Sequence, residues 1–129
     1  MFLRDCMLRG RSGHVSESGR GGLSGSDRVP QPNHEIWTLE DYRLRYQTYR
    51  SDPDAQLLHA NHAALLIWDD HEVADNTWKS GSADSNDTIA GSYNGTDFTQ
   101  RKANAVKAYF EWLPIRTVSP QLSRVFSHL

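Results

Sequence analysis

At 129 residues the chain is one domain at most, able to bury roughly two thirds of its unfolded surface. Sixteen Asp and Glu against fourteen Lys and Arg leave a formal charge of −2 with six His neutral, which argues against nucleic-acid-specific binding. The single cysteine, Cys6, excludes an intramolecular disulfide and every four-ligand cysteine zinc site, so a metal here would need oxygen and nitrogen ligands.

Residues 1–33 read as a flexible leader rich in Arg, Gly and Ser. Six of the nine glycines fall in the first 25 positions, and only one of the aromatics, Phe2, precedes Trp37. Such a composition cannot bury enough to offset its ordering entropy. Arg4, Asp5, Arg9 and Arg11 interrupt the stretch where a signal peptide would be apolar, and no run approaches the roughly 18–20 residues of a membrane span.

The pattern sharpens from residue 34. Thr38 with Asp41 three positions on has capping-box spacing, and Leu39, Tyr42, Tyr46 and Tyr49 recur at helical intervals, which predicts an amphipathic helix over 39–50. Asp52-Pro53 is a second start signal, for a short helix over about 53–61. Ala63-Ala64-Leu65-Leu66-Ile67-Trp68 is an unbroken apolar run that reads as a strand buried on both faces, as in a parallel sheet. Residues 79–97 form a long Gly/Ser/Asn/Asp stretch, either a functional loop or a disordered one. Phe98, Lys102, Val106, Tyr109, Phe110 and Leu113 then restore helical spacing until Pro114. Residues 115–129 show no decisive pattern.

The chemistry concentrates in Trp68-Asp69-Asp70-His71-Glu72-Val73-Ala74-Asp75-Asn76, where four carboxylates, one imidazole and one carboxamide follow the expected strand. In open α/β sheets ligands bind beyond the carboxyl ends of strands. Clustered like charges need a cation or several donors to compensate them. Carboxylate and amide oxygens suit calcium, magnesium or manganese, and an imidazole admits iron or zinc. An exposed acidic turn, or acids that cap the next helix, with His71 bonded to a neighbouring backbone carbonyl, explains the same residues and stays open. The pair His71-Glu72 is not the zinc-protease pattern, because position 75 is Asp.

Elsewhere Tyr42, Tyr46 and Tyr49 are explained by packing, and Arg43, Arg45 and Arg50 by a solvated helix face, with phosphate binding as the alternative for the arginines. No nucleophile elbow, Walker loop or dinucleotide fingerprint occurs. Asn86-Asp87-Thr88 and Asn94-Gly95-Thr96 satisfy the glycosylation acceptor pattern.

Four separated segments together carry a resemblance. They are Glu35 to Tyr46, Asp52 to Ala60, Trp68 to Asn76, and Arg101-Lys102 through Glu111-Trp112-Leu113-Pro114-Ile115-Arg116, and over about 34–116 the chain resembles the alkaline phosphatase D (PhoD-type) family of metallophosphoesterases. The resemblance implies an α/β fold, a partial αββα domain in which helices surround one clear buried strand. It implies hydrolysis of phosphate mono- or diesters with iron and calcium. Carried over by residue, Asp70 is the first choice as metal ligand, Asn76 and Asp69 are further ones, and His71 faces the phosphate. Family members also bear a Gly-Asp-x-x-Tyr block upstream and a Gly-Asp-x-His block downstream, whereas no Gly-Asp occurs here. Residues 34–129 are therefore expected to be a fragment of the catalytic domain, inactive by itself. Members are commonly exported, which leaves the location open in the absence of a visible signal peptide. The alternative from another class is a small helical interaction module in which 39–50 packs on 98–113 and the acidic segment is only a connection.

Overall fold

The computed structural model describes residues 31–83 and 91–115. Helix α1 spans Leu39–Arg50, α2 Pro53–Asn61 and α3 Phe98–Trp112. Each begins where a side chain takes up an orphan backbone donor. Thr38 Oγ1 accepts from Asp41 N at 3.1 Å while the Asp41 carboxylate accepts from Thr38 N at 3.0 Å, so the capping box exists as expected. Asp52 Oδ1 accepts from Ala55 N at 2.7 Å with Pro53 at the first helical turn. Asp97 does the same for Gln100 N at 2.7 Å. Helix α3 stops at Leu113, one residue before Pro114.

Helices α1 and α3 pack on each other and enclose the core. Tyr42 and Tyr46 from α1 meet Phe98, Ala105, Ala108 and Tyr109 from α3, with Ile36, Val73, Ala74 and Leu113 closing the cluster. The two small alanines on α3 let the large tyrosines of α1 approach. The buried line on α3 runs through Phe98, Arg101, Ala105, Ala108 and Tyr109, so it is rotated from the expected stripe; Lys102, Val106 and Phe110 lie at its half-buried margin.

The buried arginines explain the rotation. Arg101 Nε donates to Ile36 O at 3.1 Å and its Nη2 pairs with Glu35, while the guanidinium lies 5.5 Å from the centre of the Tyr93 ring. Arg45, equally buried, donates to Gln31 O at 3.0 Å and Pro32 O at 2.8 Å. Arg43 makes a two-pronged pair with Glu111, both contacts 2.7 Å, and Arg50 reaches Trp112 O at 3.4 Å. Of the three α1 arginines, only Arg45 thus leaves the expected solvated face for the interior; Arg43 stays on that face with its carboxylate partner and Arg50 is half-buried.

The α/β expectation fails among the described residues, which hold three helices, one 3-10 turn and no β-strand. The only bridge pairings there are turn closures, Trp78 with Gly81 and Tyr93 with Thr96. Residues 63–68 are extended but unpaired with any strand, and Leu65 (103 %) and Ile67 (78 %) stand in solvent. Leu66 and Trp68 alone turn to the core. An apolar run records a tendency to be covered; a sheet also needs strands at both edges, and none of the described residues supplies one. Among the described residues the expected partial αββα domain, with a buried strand at its centre, is thus replaced by a packed helix pair and a segment over 63–68 without regular secondary structure.

Most of the expected leader, residues 1–30, and the patternless tail, residues 116–129, lie outside the described residues, as does the acceptor triplet Asn86-Asp87-Thr88. The other triplet forms a tight turn: Asn94 (φ 48°) and Gly95 (φ 76°) are both left-handed, and Tyr93 and Thr96 exchange two hydrogen bonds of 2.9 Å. Asn-Gly is the pair that such a turn favours.

Candidate functional site

The segment after Trp68 is fixed from two sides. The Trp68 indole meets the Tyr109 ring edge-on at 4.8 Å, which anchors its entry to α3. The Tyr42 hydroxyl donates to Val73 O at 2.5 Å, which anchors its exit to α1. Val73 and Ala74 are buried between these anchors. Burial holds the Tyr42 and Tyr109 phenols up at about 12, so both keep their protons as donors at neutral pH.

Between the anchors, Asp70–Glu72 forms a single 3-10 turn capped at both ends. Asp69 Oδ1 accepts from Asp70 N at 3.0 Å, and the Glu72 carboxylate accepts from Asp69 N. Glu72 is 3 % exposed, and burial pushes its carboxyl up to about 7 against the lowering effect of the Asp69 N–H. The expected capping role of these acids is therefore real, and it belongs to Asp69 and Glu72.

The same turn gathers Asp69, Asp70 and His71, whose ligand atoms lie within 4.8 Å of one another. His71 Nδ1 stands 3.0 Å from Asp70 Oδ1 and 3.9 Å from Asp69 Oδ2, while Nε2 stands 3.4 Å from Asp75 Oδ1. The ring is buried, and Nδ1 makes no hydrogen bond although Asp70 Oδ1 approaches it to 3.0 Å. Two half-buried carboxylates facing an unbonded imidazole nitrogen are a donor set that a cation fits: hard oxygens for calcium or iron, and a nitrogen for iron. Asn76 sits on the turn just beyond, exposed and left-handed at φ 48°.

Comparison with known proteins places this segment in context. The profile of the PhoD-like phosphatase family matches residues 11–129. The chain belongs to that family. Alkaline phosphatase D of Bacillus subtilis (strain 168) is 36% identical to it over 85 residues, which cover 66% of this chain and 13% of that protein. The chain thus spans about an eighth of the length of the curated relative it matches. No solved structure matches it significantly.

Of the residues singled out in sequence, the fold brings Asp69, Asp70 and His71 of this PhoD-like chain together and leaves Asn76 at the rim. Asp75 was visible as one of four carboxylates, but only the fold places it on the far side of the His71 ring. Its i, i+4 spacing from His71 was the available signal. No helix among the described residues is long and apolar enough to cross a membrane.

Proposed function

We propose that this chain supplies one metal-holding corner of a phosphoric ester hydrolase, with Asp70 and Asp69 as ligands, Asn76 as a further oxygen donor at the rim, and iron and calcium as the metals the resemblance implies. The observation behind the reading is the unbonded, buried His71 Nδ1 facing two carboxylates in a chain of the PhoD-like phosphatase family. When bound, the metals would polarise the phosphoryl oxygens of the ester and lower the pKa of a bound water.

The chain's own residues hold and orient. Asp69 is fixed by its own caps, so its second oxygen points with Asp70 toward the His71 ring. Trp68, Val73 and Tyr42 keep the turn rigid and shield one side of it from water. The resemblance implies a His71 that faces the phosphate. With a carboxylate against each of its nitrogens, it serves here in the cation's shell rather than as a free proton donor. Both phosphate monoesters and diesters suit such a corner.

The test is metal binding by the purified chain, followed with a chelator-stripped sample, together with hydrolysis of a nitrophenyl phosphate and a bis-nitrophenyl phosphate. Calcium or ferric iron binding is expected, weakened at least tenfold in Asp70→Ala. No turnover is expected, because the Gly-Asp ligand blocks of the family are absent from these residues. Substantial metal-dependent turnover by the 129-residue chain would overturn the inactivity; equal binding by Asp70→Ala would overturn the ligand assignment.

A further inference from the structure

The neutral imidazole has one donor nitrogen and one acceptor nitrogen, and its surroundings choose between them. At His71 the choice is constrained on both sides. A proton on Nδ1 would be a buried donor that makes no hydrogen bond, although Asp70 Oδ1 lies 3.0 Å away, and leaving a buried donor unmade is costly. A proton on Nε2 faces Asp75 Oδ1 at 3.4 Å, a few tenths beyond the usual hydrogen-bond length.

Asp75 is also held in place. Its carbonyl accepts from Ala83 N at 2.9 Å, and it follows directly on the buried Val73 and Ala74. Its carboxylate is therefore presented to the ring from a fixed backbone, one helical turn's spacing after His71. A histidine that binds metal through one nitrogen commonly donates the other N–H to a carboxylate, which sets both tautomer and orientation.

We propose that Asp75 is a positioning residue: it takes the Nε2–H of His71 and thereby presents the Nδ1 lone pair to the cation position beside Asp69 and Asp70. This rests on the metal reading above, and it gives a role to Asp75, which lies outside the group of Asp69, Asp70 and His71.

Two-bond proton–nitrogen correlation spectra of the full chain, labelled with nitrogen-15 at pH 8 in chelator, report which ring nitrogen bears the proton, with His71→Gln assigning the signal. The expected result is the Nε2–H form in the native chain, replaced by a mixture or by Nδ1–H in Asp75→Ala of unchanged helical circular dichroism. Nδ1–H in the native chain overturns the proposal whether or not the variant folds, as does an unchanged tautomer in a folded Asp75→Ala. Zinc, a diamagnetic probe, is then titrated. Movement of the His71 Nδ1 resonance, needing about tenfold more zinc in Asp75→Ala, supports both the positioning and the metal reading. The Nε2–H form with an Nδ1 resonance that zinc leaves unmoved upholds the positioning and overturns the metal reading alone.

Discussion

Charges inside this small fold are placed by geometry that acts on one residue at a time. Glu72 caps the backbone of Asp69 from a buried position, and burial lifts its pKa from 4.5 to about 7. A carboxyl that binds its proton more tightly folded than unfolded stabilises the fold below about pH 4.5, and that contribution is lost as pH rises through 7. Glu72→Gln keeps an acceptor for Asp69 N and cannot ionise. In chelator, thermal melts of the variant should match the native chain near pH 4.5 and exceed it above pH 7, by on the order of 3 kcal/mol. A constant difference across that range would show that Glu72 does not titrate with folding.

At the scale of elements, local signals and distant ones separate cleanly. Helix starts were legible because Thr38 with Asp41, and Asp52 with Pro53, complete their caps within four residues. The rotation of α3 was not legible, because Arg101 is drawn inward by a carbonyl and a carboxylate 65 and 66 positions away. The run 63–68 misled for a related reason: its apolarity is a property of the segment, while its pairing depends on neighbours the segment cannot specify. In the candidate site, the identities of Asp69, Asp70 and His71 could be read in sequence. The far-side place of Asp75 and the double carboxylate environment of the ring needed the 3-10 turn. Gly91 tests the packing between the loop and α3. Its φ is +83°, and an added Cβ would stand 2.5 Å from Phe98 Cδ2 and 2.7 Å from the backbone N of Ser82. Gly91→Ala is therefore expected to cost about 2 kcal/mol or more in denaturant melts. A loss below about 0.5 kcal/mol would mean that this loop moves away without cost.

Across the whole molecule, the balance between covered and uncovered apolar surface is uneven. The helix pair buries its tyrosines and alanines, yet Leu65 and Ile67 stand exposed on the extended segment and Leu57 and Leu58 on α2. Replacing both Leu65 and Ile67 by Ser should leave the melting midpoint within about 0.5 kcal/mol, since neither is buried, and should lower self-association in light scattering. A large loss of stability would show that these side chains are covered in solution.

The two buried guanidinium groups set a limit that concerns dissection of the chain. Arg45 and Arg101 satisfy their donors on carbonyls of residues 31, 32 and 36, so each helix borrows its charge compensation from the segment that precedes α1. Segment and helices thus form one electrostatic unit, joined as well by the buried Ile36. A cut after Ile36 would leave two cations enclosed with too few acceptors, and the smallest piece able to keep the candidate site in shape begins no later than Gln31.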